Sequence, residues 1–105
     1  MMKKTISAEL FRQYMQQDEL LFVEFHAPWC GYCRRIAPAV SRLEQRYGRQ
    51  LQMVQINIDD EPALTDAERI ELVPTFVLYR KGEALADLVA PQSYEQLEQL
   101  LLEYL

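Results

Sequence analysis

Cysteine is nearly absent from this chain of 105 residues, which contains only Cys30 and Cys33. A fold held together by several disulfides is therefore excluded, because no other thiol is available to pair. Histidine is scarcer still, with His26 alone. One pair of thiols and one imidazole fall short of the ligand set of a tetrahedral zinc site, so a metal would have to be shared between two copies of the chain.

Long apolar runs and an excess of positive charge are also missing. The longest apolar run, residues 20–25, is interrupted by Glu24 and is far too short to span a bilayer. The net charge of −5 argues against a nucleic-acid surface and against binding to anionic lipid. Residues 1–6 carry two lysines with no apolar stretch behind them, unlike a secretory signal. We therefore expect a cytoplasmic monomer that contacts neither nucleic acid nor membrane.

What remains is the composition of one globular domain covering residues 1–105, with 50% hydrophobic and 26% charged residues. Apolar residues at helical spacing predict helices after the N-capping residues Ser7 and Ser93, and a long helix from Cys30 to Tyr47. Apolar, β-prone runs predict strands at 20–26, 51–58, 75–79 and 83–89, with a short extra strand at 3–6. A hairpin at 80–82 joins the last two strands, and a short helix up to Ile70 follows a turn at 59–62. This order predicts an α/β fold, a central mixed β-sheet with helices on both faces.

The spacing of the two thiols is the most informative feature of the chain. At the start of a helix, their Cα atoms would lie roughly 5 Å apart, within reach of a disulfide. A Cys-x-x-Cys near a strand–helix–strand pattern, in a chain without other cysteines, is typical of a dithiol/disulfide active site.

The two thiols are expected to have different roles. Cys30 would lie at the N-terminus of the long helix, whose free N–H groups and dipole favour a thiolate, and Arg34 and Arg35 add positive charge nearby. Cys33, one turn further along, is expected to be more buried and less reactive. The pair therefore predicts a two-step exchange, in which Cys30 attacks a substrate disulfide and Cys33 then displaces the substrate.

Glu24 is a second unusual residue, because it interrupts an apolar strand that leads to the thiols. Burying an unpaired carboxylate costs several kcal/mol, so such a group is normally neutral or hydrogen-bonded. Two interpretations stay open: a proton carrier for the thiols, or a structural residue bonded to a neighbour. His26, at the end of the same strand, is likewise either structural or a group that tunes the site.

Three further positions are candidates for substrate contact. Val73-Pro74 either simply begins a strand or forms a cis peptide opposite the thiols. Trp29 and Tyr32 are expected to be exposed aromatic side chains that contact substrate. The acidic residues 59–61 are expected to form a solvated turn.

Taken together, these motifs make the chain similar to the thioredoxin family over nearly its whole length. The resemblance rests on residues 22–33 (FVEFHAPWCGYC), on Ile36-Ala37-Pro38, Asn57-Ile58-Asp59 and Val73-Pro74-Thr75, and on the Lys81-Gly82 turn.

The resemblance implies a thioredoxin fold and protein dithiol–disulfide exchange, with Cys30 as nucleophile and Cys33 as resolving thiol. It also implies that Glu24 occupies the position of the family's buried acid and that Pro74 is a cis-proline. The backbone of Val73 would then pair with the substrate, in a site that includes Trp29, Gly31 and Tyr32.

Several positions depart from the family pattern. Tyr32 replaces the proline of reducing thioredoxins and the histidine of disulfide isomerases. His26 stands where many thioredoxins have tryptophan, and Gln55 stands where a lysine usually partners the buried acid. Leu72 and Ala90 replace glycines beside the substrate groove.

The activity implied by the resemblance is the reduction of protein disulfides, without a bound cofactor or metal. A separate electron donor of the thioredoxin-reductase type would recharge the pair. Two alternatives stay open: an oxidase or isomerase, and a non-catalytic or metal-bridging interaction module on the same fold.

Overall fold

The computed structural model describes residues 4–105, so the first residue of the predicted strand 3–6 lies outside the described residues. The strands are β1 (Lys4–Thr5), β2 (Leu21–His26), β3 (Gln52–Asn57), β4 (Thr75–Arg80) and β5 (Glu83–Val89). The helices are α1 (Ala8–Tyr14), α2 (Gly31–Tyr47), α3 (Pro62–Ala67) and α4 (Tyr94–Leu102). In the described part of the chain, no helix is long and apolar enough to cross a membrane.

The five strands form one mixed sheet in the order β1-β3-β2-β4-β5. β3 is parallel to both β1 and β2, whereas β4 is antiparallel to both β2 and β5. β2 is therefore a central strand, which explains its nearly continuous apolar sequence, since side chains on both of its faces are buried. The predicted α/β fold with a central mixed sheet is confirmed.

Helices cover both faces of the sheet and divide the core in two. On one face, α2 and α4 pack on Phe22 and Phe76, whose rings stack with centroids 5.5 Å apart. On the other face, α1 and α3 pack on the alternate residues of β2, Val23 and Phe25. Because side chains alternate along a strand, Glu24 belongs to the same face as Phe22, which is the face beneath α2.

The long helix α2 is bounded as the sequence predicts. Cys30 is its N-cap, and the helix continues through Pro38 to Gly48, whose N–H donates to the Glu44 carbonyl at 2.7 Å. Gly48 has an ordinary φ of −61°, so its role is not a left-handed turn. A Cβ at this position would instead lie 2.5 Å from the Glu44 carbonyl oxygen, which only glycine avoids.

A polar cluster joins the end of α2 to α4. The Glu98 carboxylate accepts hydrogen bonds from the hydroxyls of Tyr47 (2.6 Å) and Tyr94 (3.1 Å), and Arg46 lies 3.5 Å from the same oxygen. The Arg42 guanidinium lies over the Tyr94 ring, 4.0 Å from its centroid. The Tyr47 hydrogen bond, followed by the Tyr94 bond and the two arginines, holds the pKa of Glu98 below its ordinary value.

Two local predictions need correction. The helix predicted up to Ile70 ends at Ala67, because Arg69 adopts a left-handed conformation with φ +59° that α-helix cannot continue. Arg80 is part of β4, so the hairpin turn contains only Lys81 and Gly82, both with positive φ (+50° and +81°). Such a two-residue turn matches the right-handed twist of the strands that it joins.

Candidate active site

The two thiols lie where β2 gives way to α2. The Cys33 N–H donates to the Cys30 Sγ at 3.1 Å, so the sulfur itself caps the helix. An acceptor at this position satisfies one of the free N–H groups of the first helical turn and meets the positive end of the helix dipole. Both effects favour a negative charge on the Cys30 sulfur, as the sequence predicts for an attacking thiolate.

The predicted difference in exposure between the thiols is wrong, because Cys30 and Cys33 are each only 7% exposed. Both pack with Ala27 in a small apolar cluster, and the side chains of Tyr32 and Val73 cover it. The structure therefore distinguishes the thiols by their hydrogen bonds and their helix position rather than by solvent access.

The Val73-Pro74 peptide bond is cis, and the Val73 carbonyl lies beside the thiols. The Cys30 thiol donates to this carbonyl at a sulfur–oxygen distance of 3.7 Å. The next residue, Thr75, begins β4, and its hydroxyl donates to the Leu72 carbonyl at 2.6 Å. Val73 and Pro74 thus form a wall of the site opposite Cys30, the position that the family resemblance implies.

Trp29 is the most accessible aromatic side chain beside the thiols, at 64% exposed, as predicted. Its indole Nε1–H donates to the Asp59 carboxylate at 2.8 Å. Asp59 was predicted only as part of a solvated turn, so its role in orienting Trp29 was missed. The two residues are 30 positions apart and become neighbours because β3 lies parallel to β2.

Tyr32 differs from the prediction of an exposed aromatic side chain. It is half-buried against the thiol cluster, and its hydroxyl donates to the Pro91 carbonyl at 2.7 Å. The Arg35 guanidinium lies 5.8 Å from the centre of its ring. Tyr32 therefore links the start of α2 to the loop between β5 and α4, and Pro91 is a site residue that the sequence did not reveal.

The remaining positions near the thiols are more open. Gly31 is exposed, and a side chain there would meet only the tip of Arg34, at 3.9 Å. The Arg34 guanidinium donates to the Pro28 carbonyl at 2.7 Å, which holds its positive charge beside the first turn of α2. On the facing loop, Ala90 has φ +45°, and its N–H donates to the Pro74 carbonyl at 2.8 Å.

Glu24 is buried, with 3% of its surface exposed, so the prediction of a buried acid is confirmed. On the sheet it lies opposite Gln55 of β3 and Phe76 of β4. The Gln55 amide donates to the Thr5 hydroxyl at 2.8 Å, so its polar group is engaged with β1. Gln55 also supplies no positive charge to Glu24, unlike the lysine that is usual in the family.

Glu24 and the Cys33 thiol line the same cavity, of about 320 Å³. Glu24, His26 and Gln55 line it from the sheet, and Cys33 and Arg34 line it from α2. Although its lining is mainly apolar, a cavity of this size has room for water, which can carry a proton between a thiol and a carboxylate. The structure thus brings together the acid and the thiol that the sequence singled out separately.

Within residues 4–105, no three His, Cys, Asp or Glu side chains are grouped so that they could hold a metal ion. The two thiols are the reactive groups that the structure places at this site. A dithiol at a helix N-terminus, beside a cis-proline and on a mixed α/β sheet, defines a thiol–disulfide oxidoreductase.

Comparisons with known proteins agree with this class. A family model named Thioredoxin matches residues 2–103. Thioredoxin of Alicyclobacillus acidocaldarius is 32% identical over 101 residues, which are 96% of each chain. Thioredoxin 1 of Plasmodium falciparum is 32% identical over 104 residues, covering 99% of this chain and 98% of the relative. A solved structure of Plasmodium falciparum thioredoxin superimposes with a TM-score of 0.88, covering 97% of this chain and 99% of that one.

The chain belongs to the thioredoxin family. Its function is accordingly that of a thioredoxin-like dithiol–disulfide oxidoreductase, in a family whose members reduce protein disulfides.

Proposed function

We propose that the protein is a cytoplasmic reductase of protein disulfides in which Cys30 attacks and Cys33 resolves. The observation that carries the proposal is the hydrogen bond from the Cys33 N–H to the Cys30 Sγ at the start of α2. This bond and the helix dipole stabilise negative charge on the Cys30 sulfur.

The exchange has two balanced steps. The Cys30 thiolate attacks one sulfur of the substrate disulfide, and the other substrate sulfur leaves as a thiolate. Cys33 then loses its proton and attacks the Cys30 sulfur, so the bond to the substrate breaks and the second substrate thiolate leaves. The substrate gains two electrons, and the protein is left with a Cys30–Cys33 disulfide.

The walls around the thiols are suited to bind a substrate segment. Val73 would pair through its backbone with an extended peptide, and Pro74 keeps that edge free of an N–H donor. Trp29 and Gly31 offer an exposed aromatic surface and an open backbone beside Cys30. Tyr32 contributes its ring as the side of the groove nearest Pro91.

Glu24 is the proposed acceptor for the Cys33 proton. The carboxylate and the thiol line the same cavity, so a proton can pass between them directly or through a water molecule. Once Cys33 is a thiolate, its attack on the mixed disulfide releases the substrate.

The oxidised pair must be reduced again before the next cycle. We propose that a separate reductase of the thioredoxin-reductase type supplies the electrons, and that the protein works as a monomer without nucleic acid, membrane, bound cofactor or metal. Net reduction of substrates also needs a pair that gives up its electrons readily. The neutral Tyr32 fits this requirement, because it adds no positive charge that would stabilise the reduced, thiolate form of the pair.

Trapping tests the roles of the thiols. With Cys33→Ser, attack by Cys30 should leave a stable mixed disulfide with a protein substrate, because no resolving thiol remains. The matched variant Cys30→Ser should trap far less, and mass spectrometry of both proteins measures the difference. Faster alkylation of Cys33 than of Cys30 in the reduced protein at neutral pH would contradict the assignment.

Equilibration with glutathione tests the direction of electron flow. Family potentials run from roughly −270 mV for reducing thioredoxins to −120 mV for strong oxidants, and we expect this protein near the reducing end. A pair that stays mostly reduced in a glutathione buffer, where a reducing thioredoxin is mostly oxidised, would favour the oxidase or isomerase alternative. A metal assay on the purified protein tests the metal-bridging alternative.

A further inference from the structure

His26 is the one histidine of the chain and lies two residues beyond Glu24 on β2. Two residues apart on a strand, the side chains lie on the same face of the sheet, which here is the face beneath α2. Glu24 is buried, whereas His26 is partly exposed. His26 is therefore placed between the buried acid and solvent.

The cavity beside Cys33 is shared by both residues. Its sheet side includes Glu24 and His26, and its rim includes Pro28, Arg34 and Ala37, which are all exposed. The cavity thus reaches solvent between the turn after β2 and the first turns of α2. The titratable or charged side chains that line it are Glu24, His26, Cys33 and Arg34.

The proposed function leaves one proton transfer without a carrier. When Cys33 resolves the mixed disulfide, Glu24 takes the thiol proton and becomes neutral. A proton left on Glu24 can return to Cys33 before the attack, so its removal favours the thiolate during the resolving step. Glu24 is only 3% exposed, and its route to solvent is the cavity that His26 also lines. Histidine ordinarily titrates near pH 6.5, so a neutral imidazole can accept a proton and release it again at cellular pH.

We propose that His26 is a proton relay between Glu24 and solvent during the resolving step, which rests on the proposed function. The Cys33 proton moves to the Glu24 carboxylate, then to the His26 imidazole and then to water. The thiolate meanwhile forms the Cys30–Cys33 bond, and the substrate sulfur leaves with the electron pair of the broken bond. In this relay His26 acts through Glu24, as a positioning residue for the proton and not as an attacking group.

The relay makes the resolving step depend on the ionisation of His26. A protonated imidazole cannot accept another proton, so the step should slow as the pH falls through the range in which histidine ordinarily titrates, about pH 6.5. An ionised Glu24 carboxylate favours the protonated form of His26, and the positive charge of Arg34 opposes it. The inflection in the rate–pH profile is therefore a property of these coupled groups and not of His26 alone.

The test uses 5,5′-dithiobis(2-nitrobenzoate), a symmetric aromatic disulfide whose thiolate absorbs visible light. Attack by Cys30 releases the first thiolate, and resolution by Cys33 releases the second, so stopped-flow absorbance separates the two steps. His26→Gln keeps a polar side chain but cannot titrate. We expect the second phase to slow by about tenfold near neutral pH and to lose its inflection, while the first phase is unchanged.

Chemical rescue separates a relay from a structural role. His26→Ala removes the ring, and added imidazole should restore the second phase. Pyrazole, which has the same size but does not titrate near neutral pH, should not. Rescue by both compounds, or by neither in a folded protein, would refute the relay.

The parallel variant Glu24→Gln keeps the two proposals distinguishable. It should slow the second phase more than His26→Gln does, because it removes the direct acceptor. An unchanged second phase in His26→Gln together with a slowed one in Glu24→Gln would overturn the relay alone. Unchanged second phases in both variants would also remove the role proposed for Glu24.

Discussion

Ala90 holds the loop opposite the thiols in a conformation that favours glycine. Its φ is +45°, and its N–H donates to the carbonyl of the cis-proline Pro74 at 2.8 Å. In the left-handed region a Cβ crowds the following carbonyl group, and glycine has no Cβ. We predict that Ala90→Gly stabilises the protein.

The magnitude follows from two opposing terms. The left-handed conformation costs a residue with a Cβ about 1–2 kcal/mol, and glycine removes this strain. Glycine also gives the unfolded chain more freedom, which offsets about 0.4–1 kcal/mol of the gain. The net gain in the free energy of unfolding should be about 0.5–1 kcal/mol, or a rise in Tm of roughly 2–8 °C for a domain of this size.

Urea unfolding followed by circular dichroism measures the change. Ala84→Gly is the matched control, because Ala84 lies within β5 and not at a position of positive φ. Glycine there should lower the free energy of unfolding by about 0.5–1 kcal/mol. If Ala90→Gly destabilised the protein as Ala84→Gly does, the strain argument would be wrong.

Three further predictions concern contacts that the sequence does not show. Tyr32→Phe should lower the free energy of unfolding by about 1 kcal/mol in urea, because the hydrogen bond to Pro91 is lost; an unchanged value would mean that this bond does not hold the loop. Glu98→Gln should flatten the stability–pH curve in acid. Because the pKa of Glu98 is lowered in the folded protein, its contribution to stability is present above the ordinary carboxyl pKa and is lost as the pH falls through the lowered pKa. Thermal melts at several pH values measure the stability of both proteins, and equal slopes of stability against pH would contradict this prediction. Gly48→Ala should cost about 1–3 kcal/mol, because its Cβ would overlap the Glu44 carbonyl, and the same urea assay measures the loss.

Local chemistry explains why much of the fold could be predicted. The serine caps at Ser7 and Ser93 accept from backbone N–H groups three residues later, at 3.1 Å and 3.3 Å, as short-range rules require. The apolar run of β2 requires burial on both faces, which only a central strand provides. Each of these signals depends on neighbours within a few residues, so the sequence displays it directly.

The two cysteines belong to the same category. Their spacing, their position at a helix start and the absence of other thiols define the chemistry before any tertiary contact is known. The burial of Glu24 is also predictable, because no other residue of its strand is charged and the strand must be central.

Distant pairs are what the sequence could not determine. Trp29 bonds to Asp59 and Tyr32 to Pro91, across 30 and 59 positions of the chain, because the strand order makes these segments neighbours. Nothing near either aromatic residue in sequence marks its partner. The exposure of Cys30 was mispredicted for the same reason, since the cover over it includes Val73, 43 positions away.

The sequence by itself therefore determined the class of chemistry, because thiol spacing and helix capping are local properties of the chain. Only the tertiary structure decided the surroundings of that chemistry. Three features depend on which segments the sheet brings together. They are the cis-proline beside the thiols, the hydrogen bond from Tyr32 to the Pro91 carbonyl, and the cavity that Glu24, His26 and Cys33 line.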